Sequence, residues 1–424
     1  MTLVAIVAAL LALLFLGVPV AFALAGLGTI MLELKGLPLV MVAQNLHNAL
    51  DSFVLIAVPL FLLMSNILLR GGVGRDLFDA VQSWVGHWPG GLGIAALLSC
   101  GIFSAISGSS VATAATVGTV AIPEMERRGY DRSFTLGMLA AGGTLGILIP
   151  PSIPLIVYGV ITEESIGSLF LAGVGPGLLL IALFSAYGVF AARWDGKAEK
   201  LPPATWAERG RATLKATPTA GIAILMLGGI YSGAFTPTEA AAVGAVASLL
   251  VTALVLRTLT FRDFVAAVRA TTVTTIVLFL IVIGAKIFGK AVTIYQVPAQ
   301  LSQLVDTHVA DPTLFIVIAS LVLLFIGLFL ESLSMLLIMV PVMLPTVLAL
   351  GIDPIWFGVF FVLLIEVALI TPPVGLNLFV IQAVARSPLG TVVRGVTPFV
   401  ALMLLAVVLI VAVPQIVLFL PFGL

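Results

Sequence analysis

The sequence predicts an all-α polytopic membrane protein that contains two inverted-topology repeats. Three observations predict this fold: the composition, a segment that occurs twice, and the charges of the loops. Of the 424 residues, 61% are hydrophobic and only 9% are charged, and the mean hydropathy is +1.27. Such a chain cannot cover a soluble surface, and helices satisfy their own backbone polar groups within lipid. The apolar runs are too long and too continuous for the alternating strands of a membrane barrel.

Residues 1–90 are predicted to supply scaffold helices and an interfacial arm. The apolar run Leu3–Met31 lacks a basic leader and a clear cleavage site, so we expect one retained membrane helix there. A second run covers Phe53–Leu69. Residues 33–52 between them are weakly amphipathic, which indicates an external arm or a subunit contact. The segment Arg75–Trp88 is amphipathic and contains two tryptophans, so we expect it to lie along the membrane surface.

Residues 91–191 form the first predicted repeat. The apolar run Gly91–Ile106 is followed by Ser107–Glu124 with little polar sequence between, which predicts a re-entrant helical hairpin. The next run, Phe134–Ile161, is interrupted by Pro150 and Pro151. Each proline removes a backbone donor and blocks a helical hydrogen bond, so a broken helix is predicted.

The double proline recurs as Pro372-Pro373 in a second predicted repeat, residues 313–424, and 372 − 150 = 222. Chance rarely aligns Pro, Gly and Asp columns over such a length. A duplicated membrane unit with prolines in mid-span is typical of secondary transporters. Within this repeat, Glu331–Thr346 is predicted to form the second leg of a second re-entrant hairpin, and the run Val392–Leu420 is expected to form the last span. The same shift relates Ser110 to Ser332, Pro123 to Pro345, Gly129 to Gly351, Asp131 to Asp353, Gly173 to Gly395 and Pro176 to Pro398.

Two predicted segments separate the repeats. Residues 192–218 are polar and rich in Lys and Arg, and they are interpreted as a solvated cytoplasmic linker. Residues 219–312 are predicted to supply further scaffold helices, the first of them a short span over Thr219–Ile230, with Thr271–Phe288 forming another. The linker would join the two halves of the transporter on the cytoplasmic side.

The loop charges indicate that the repeats have opposite orientations. Arg127, Arg128 and Arg132 follow the first hairpin, whereas TVLALGIDP at the equivalent place in the second repeat has no basic residue. After the broken helices the pattern reverses, because TEESIGS is acidic while Arg386 and Arg394 follow the second one. Lys and Arg mark the cytoplasmic side of short loops. The first hairpin is therefore predicted to open to the cytoplasm and the second to the periplasm, with a cytoplasmic N-terminus and a periplasmic C-terminus.

A run of small hydroxylated residues, Ser104–Thr113, lies at the predicted tip of the first hairpin. Unwound backbone and hydroxyl groups present oxygen ligands of the kind that suit Na⁺, and the helix start at Ser110 offers N–H groups to an anion. The alternative reading is a small-residue seam for helix packing. Both readings remain open from this motif alone.

Two acidic residues are predicted to lie within the membrane. Glu331 falls at the tip of the second hairpin, where the first repeat has Ser109, and a cation or substrate site is predicted there. A charge at that depth costs about 2.5–3.5 kcal/mol on insertion scales. For Glu366, structural pairing with a basic residue such as Lys286 and a functional role remain equal alternatives.

Other functions receive no support from the sequence. The net charge is zero, so no basic field attracts nucleic acid. No nucleotide motif, metal motif or nucleophile–base pair is visible, so we expect no enzymatic activity and no cofactor other than a coupling ion.

The chain resembles the large membrane subunit of the tripartite ATP-independent periplasmic (TRAP) transporters. The resemblance rests on SGSSVATAATVGTVAIPEMERRGYD, AAGGTLGILIPPSIPLIVYGVITEESIGSLFLAGVGPG, LFLESLSMLLIMVPVMLP and TPPVGLNLFVIQAVA. It implies an elevator-type fold in the bacterial inner membrane, in which hairpins and broken helices slide against a scaffold. It also implies two protein partners: a small four-helix membrane subunit and a periplasmic binding protein that delivers an organic acid.

The resemblance further implies where Na⁺ and substrate bind. None of the site residues that the resemblance implies is basic, so helix N-termini and bound cations would offset the substrate charge. Substrate contacts would come from Ser107, Ser152 and Asn377. The first Na⁺ site would use Ser107, Gly108, Ser109 and Ser110 with backbone from Gly146 to Pro150, and the second would use Glu331, Ser332, Ser334, Thr371, Pro372 and Gly375.

The function expected from these observations is Na⁺-coupled uptake of a small organic acid. The nature of the acid stays open among C4-dicarboxylates, 2-oxo acids, sugar acids and sialic acids. One alternative is a self-contained Na⁺/carboxylate symporter of a related elevator fold that needs no binding protein. A more distant one is a structural or channel-like membrane subunit that transports nothing itself.

Overall fold

The computed structural model describes residues 3–50, 53–195, 201–297 and 311–423, and these residues form helices without any β-strand. Two short 3₁₀ turns cover Phe53–Ile56 and Leu145–Ile147, and a π-helical turn covers Val251–Val255. The helices are α1 (Leu3–Phe15), α2 (Val20–Leu34), α3 (Val40–Leu50), α4 (Ala57–Arg70), α5 (Val73–Val85), α6 (Gly91–Ser107), α7 (Ser110–Arg127), α8 (Arg132–Thr144), α9 (Ile153–Thr162), α10 (Ile166–Asp195), α11 (Trp206–Tyr231), α12 (Pro237–Leu250), α13 (Phe261–Ile294), α14 (Pro312–Gly327), α15 (Ser332–Ala349), α16 (Pro354–Leu369), α17 (Leu376–Ala385), α18 (Leu389–Ala412) and α19 (Gln415–Phe422).

Within the described part of the chain, seven helical stretches are long and apolar enough to cross a membrane. One of them is α15, for which the sequence predicts the second leg of a re-entrant hairpin. Its 18 residues meet the length and hydropathy of a span. The seven stretches are Phe53–Arg70, Ile166–Trp194, Trp206–Tyr231, Pro237–Val255, Phe261–Ile294, Ser332–Ala349 and Leu389–Ala412.

The sequence offset of 222 residues recurs in the helix bounds. Helix α7 begins at Ser110 and α15 at Ser332, which are 222 positions apart. Asp131 begins α8 by accepting a hydrogen bond from the Phe134 N–H at 2.8 Å. Asp353 begins α16 in the same way, at 2.8 Å from the N–H of Trp356. A carboxylate that accepts from the third residue of the helix satisfies a donor left open by the first turn, so the duplicated Asp explains both starts.

The helices of the two predicted repeats contact each other in equivalent pairs. Helix α7 contacts α17 while α15 contacts α9, and α8 contacts α18 while α10 contacts α16. Such exchange is what an approximate two-fold relation produces. Helices α8 and α18 cross closely, and a Cβ on Gly137 would clash with the backbone carbonyl group of Gly395. Only glycine allows the two backbones this approach.

The remaining long helices form a second group in which α2 and α4 pack against α13, and α12 packs against α4. Small residues again allow the closest contact. A Cβ on Gly28 would lie 2.9 Å from the Phe288 backbone, and one on Gly284 would lie 2.5 Å from the Ala21 carbonyl oxygen. Close approach through glycine is common where membrane helices cross, because lipid supplies no hydrophobic force between them.

Two long apolar runs predicted as single helices are each divided. In Leu3–Met31, α1 ends at Phe15 and α2 begins at Val20, because Gly17 adopts a left-handed φ of +79° and Pro19 starts a new helix. In Val392–Leu420, α18 ends at Ala412, because Pro414 excludes the helical conformation from the residue before it. Both runs are apolar throughout, so hydropathy marks neither boundary.

Helices extend into the predicted linker, residues 192–218, from both of its ends. Helix α10 continues to Asp195, and α11 begins at Trp206, so the predicted short span at Thr219 belongs to a helix of 26 residues. A capping box starts α11: the Glu208 N–H donates to Thr205 Oγ1 at 3.3 Å, and the Thr205 N–H donates to Glu208 Oε2 at 2.7 Å. Residues 196–200 of the linker lie outside the described residues.

Candidate functional site

The tip of the first hairpin is a two-residue connection, Gly108 and Ser109, between α6 and α7. Ser107 ends α6, and Gly108 follows with a left-handed φ of +61° that favours glycine. Ser109 caps the N-terminus of α7: its hydroxyl accepts a hydrogen bond from the Ala112 N–H at 3.4 Å. The N-terminus of an 18-residue helix therefore faces the tip, with its partial positive charge.

Hydroxyl groups at this tip are linked to each other and to backbone. Ser107 Oγ lies 2.8 Å from Thr113 Oγ1 and 3.4 Å from the Ser109 carbonyl oxygen. Ser107 is buried and Ser109 is half-buried. The oxygens therefore lie close together in a largely water-free environment, which is the setting in which oxygen dipoles attract a cation most strongly.

The first hairpin tip lies directly against the first double-proline break. A Cβ on Gly108 would be 2.5 Å from the Pro151 carbonyl oxygen. Gly146, in the 3₁₀ turn Leu145–Ile147, has the Ser109 carbonyl oxygen 2.5 Å from the position of its missing Cβ. Pro150 and Pro151 are joined by a cis peptide bond. The structure thus brings together the residues predicted for the first Na⁺ site, Ser107 to Ser110 and Gly146 to Pro150.

The second hairpin tip has a carboxylate where the first has a hydroxyl. Glu331 precedes α15, and its Oε1 accepts from the Ser334 N–H at 3.2 Å and from Ser334 Oγ at 2.9 Å. Ser332 and Gly375 line one small cavity of about 10 Å³, the space of roughly one water molecule. Tip and break therefore meet in the second repeat too.

Two further residues of the second predicted site lie at its break. Thr371 donates its hydroxyl hydrogen to the Val367 carbonyl oxygen at 2.6 Å. Pro372, joined to Pro373 by a cis peptide bond, is exposed, in contrast to the buried Pro150 and Pro151. The second break is thus the more open of the two.

The predicted substrate residues Ser152 and Asn377 are fully buried. Ser152 begins α9, where its hydroxyl accepts from the Leu155 N–H at 3.4 Å and donates to the Ile147 carbonyl oxygen. Asn377 joins the second break to the first repeat. Its Oδ1 accepts from Ser110 Oγ at 2.8 Å, and its Nδ2 donates to the Ala140 carbonyl oxygen at 3.0 Å.

Sequence reasoning included Thr113 only as a member of the hydroxylated run Ser104–Thr113, and it assigned no role to Ala140. The position of Thr113 one turn into α7, on the Ser110 side, was an available signal. Ala140 contributes only its backbone carbonyl, and nothing in the sequence marks it.

Glu366 has no pairing partner among the described residues, so the suggested pair with Lys286 is wrong. The side chain is fully buried on α16, and neither carboxylate oxygen has a hydrogen bond. Lys286 lines a separate cavity beside α13 and is exposed. The segment Val362–Leu369 around Glu366 is otherwise apolar and buried, so proximity in the membrane was the only basis for the suggestion.

The sequence matches a known family over almost its whole length. Residues 7–416 match the family described as tripartite ATP-independent periplasmic transporter, DctM component. The chain belongs to this family. It is a TRAP large permease, a transporter component and a multi-pass protein of the bacterial inner membrane.

Curated relatives of this TRAP permease match it over nearly their whole length. It is 41% identical to the C4-dicarboxylate permease DctM of Pseudomonas aeruginosa, with 89% of this chain and 88% of that protein covered. It is 37% identical to the sialic acid permease SiaM of Vibrio cholerae, with 97% and 96% covered. It is 35% identical to the ectoine permease TeaC of Halomonas elongata, with 98% and 97% covered.

Solved structures of other transporters share the fold of the TRAP permease. The YdaH transporter of Alcanivorax borkumensis has a TM-score of 0.59 at 15% identity, covering 90% of this chain and 88% of that one. MtrF of Neisseria gonorrhoeae has a TM-score of 0.52 at 13% identity, covering 88% and 82%. These similarities concern the fold alone.

Proposed function

We propose that this TRAP permease imports a small organic acid together with Na⁺, by elevator-type movement of its two repeats against the remaining helices. The observation that carries the proposal is that each hairpin tip lies against the double-proline break of its own repeat. Two helix N-termini and two interrupted backbones converge in this way. Sites of this kind, at discontinuous membrane helices, are where transporters bind ions and substrates.

The first proposed Na⁺ site combines Ser107 to Ser110 with the backbone of Gly146 to Pro150. The supporting contacts are the close approaches of Gly108 to Pro151 and of Gly146 to Ser109. The second proposed site combines Glu331, Ser332 and Ser334 with Thr371, Pro372 and Gly375. Its support is the cavity shared by Ser332 and Gly375, whose volume suits one ion.

The substrate is proposed to lie between the two tips, near Ser107, Ser152 and Asn377. None of these groups is basic, so the helix N-termini and the bound Na⁺ would offset the charge of the acid. Each charge that moves through 100 mV is worth about 2.3 kcal/mol. A dianion entering with two Na⁺ therefore gains nothing from the membrane potential, whereas a monoanion with two Na⁺ moves one net positive charge inward.

Two protein partners are proposed: a small four-helix membrane subunit and a periplasmic binding protein. Membership in a tripartite family supports both. The relatives carry names that include C4-dicarboxylate, sialic acid and ectoine, so succinate, N-acetylneuraminate and ectoine form the first panel of test substrates. The orientation supported by the loop charges places the N-terminus in the cytoplasm and the C-terminus in the periplasm.

The decisive experiment is uptake of the radiolabelled panel into proteoliposomes that contain this chain and its small partner. We expect uptake to require both an inward Na⁺ gradient and the binding protein. Uptake that persists after choline replaces Na⁺ would reject Na⁺ coupling. Na⁺-driven uptake without the binding protein would instead assign the chain to the self-contained symporters.

A matched pair of variants tests the tip itself. Ser107→Ala removes a buried hydroxyl from the first site, whereas Thr119→Ala removes one that only bonds within α7, to the Ala115 carbonyl oxygen at 2.6 Å. We expect Ser107→Ala to raise the Na⁺ concentration for half-maximal uptake and Thr119→Ala to leave it unchanged. Equal behaviour of both variants would contradict a role of the first tip in Na⁺ binding.

A further inference from the structure

A second, larger cavity of about 330 Å³ is lined by none of the predicted Na⁺ or substrate residues. It is bounded on one side by α13, through Lys286 and Lys290, and on the other by α15, through Pro341 and Leu344. Asn45 of α3 also lines it. The volume falls within the usual range of small-ligand pockets, about 300–1,000 Å³. The two sides of the cavity differ in polarity, since cationic and amide groups face an apolar wall.

The two lysines of this cavity have no partner among the described residues. They are one helical turn apart and therefore lie on the same face of α13. Neither forms a salt bridge or a hydrogen bond within the described part of the chain, and no carboxylate lines the cavity. Two like charges on one face repel each other, so an anion between them would stabilise both.

Interaction with the helix dipole does not explain why Lys286 and Lys290 occur at these positions of α13. Lysines near a helix C-terminus interact favourably with the helix dipole, but this effect is confined to the last turn. Helix α13 ends at Ile294, so Lys290 is four residues and Lys286 eight residues from its end. Lys286 is also embedded in an apolar stretch, IVIGAKIFGK, that belongs to a candidate membrane span. A lysine there is costly unless it is paired or solvated.

We propose that this cavity binds an organic anion through its carboxylate or phosphate group, with Lys286 and Lys290 as the cationic contacts. The apolar wall formed by Pro341 and Leu344 would hold the body of the molecule. Such a group has two sources: the phosphate of an anionic phospholipid, or the carboxylate of a soluble acid. Basic pockets between membrane helices bind anionic lipid headgroups in other proteins. The proposal rests on the cavity and the lysines and does not depend on Na⁺ coupling.

The test uses the full-length protein in nanodiscs of phosphatidylcholine. Native mass spectrometry follows the binding of added phosphatidylglycerol, and titration calorimetry follows succinate in separate samples. For Lys286→Gln/Lys290→Gln we expect the affinity for one of these probes to fall about 10-fold or more, since each lysine near an anionic group contributes about 1 kcal/mol. The matched control is Arg262→Gln/Arg269→Gln, which removes two exposed charges from the same helix outside the cavity and should change neither affinity.

The pattern of loss identifies the source of the anion. Weaker phosphatidylglycerol binding with unchanged succinate binding assigns the site to lipid, and the reverse assigns it to a soluble acid. Two further variants distinguish loss of charge from loss of folding. Lys286→Arg/Lys290→Arg keeps both charges and should retain anion binding, whereas Gly289→Leu fills the cavity and should abolish anion binding. Unchanged affinities for both probes in the double glutamine variant would overturn the proposal, as would loss of binding in the arginine variant.

Discussion

Replacement of Gly146 by alanine tests the contact between the first hairpin tip and the first break. The added Cβ would lie 2.5 Å from the Ser109 carbonyl oxygen and 2.9 Å from the Ser110 nitrogen. Ordinary contact begins at 3.4 Å, so tip and break must separate by about 0.9 Å (3.4 − 2.5). Gly146 is not one of the glycines with positive φ, so this steric contact is the main cost. Overpacking of this size costs about 1–3 kcal/mol.

The displacement should weaken Na⁺ binding more than it affects the fold. Metal–ligand distances hold to within about 0.2 Å, so a separation of about 0.9 Å exceeds what a cation site tolerates. The assays are the Na⁺ dependence of uptake and thermal unfolding in detergent, each measured beside Gly228→Ala. Gly228 has nothing within 4 Å of its missing Cβ, and alanine there should stabilise α11 by about 1 kcal/mol. A Gly146→Ala protein with unchanged melting temperature and unchanged Na⁺ dependence would refute the reasoning.

Three other substitutions have defined outcomes. Asn377→Leu leaves the Ser110 hydroxyl and the Ala140 carbonyl without their hydrogen-bond partner. We therefore expect the free energy of unfolding to fall by about 1–3 kcal/mol, which is visible as a lower melting temperature. Glu366→Gln replaces a buried carboxyl group, neither of whose oxygens has a hydrogen-bond partner among the described residues, by an amide of the same shape, and the melting temperature should stay equal or rise. A clear fall would mean that the carboxylate binds something essential. Glu331→Gln keeps an oxygen to begin α15 but loses the charge, so half-maximal uptake should need more Na⁺ while the melting temperature is retained.

The parts of the fold that the sequence predicts are those marked by local chemistry. The double prolines identify both helix breaks, and Asp131 and Asp353 begin equivalent helices with equal hydrogen bonds. The division between α1 and α2 was missed because Gly17 and Pro19 lie within an uninterrupted apolar run. The start of α11 at Trp206 was missed for the opposite reason, since its first three turns are polar and only the Thr205 capping box marks the boundary.

The site is predictable as a set of segments but not as a network. Hydroxyls, glycine and prolines indicate which segments unwind, because each residue type acts on its own backbone. The bond between Ser110 and Asn377 joins positions 267 residues apart and depends on the packing of α7 against α17. No local pattern specifies such a contact. The error over Glu366 and Lys286 has the same origin, because a need for charge compensation does not say which helix faces which.

The two hairpin tips differ in charge, and this difference affects the free-energy cost of leaving each proposed site empty. Ser109 and Glu331 occupy equivalent positions and both begin a helix, but only Glu331 carries a charge. An empty site that retains an unpaired carboxylate is costly in a low-dielectric interior. The first break, at Pro150 and Pro151, is buried, and its neutral oxygens would leave no charge behind on departure of a cation from the proposed first site. The second break is exposed and Glu331 is only half-buried, so its carboxylate can remain solvated when the site is empty. We infer that each repeat has ligands suited to its burial: neutral oxygens at the buried first break and a carboxylate at the exposed second one. Either proposed site could then stand empty at a low cost in free energy.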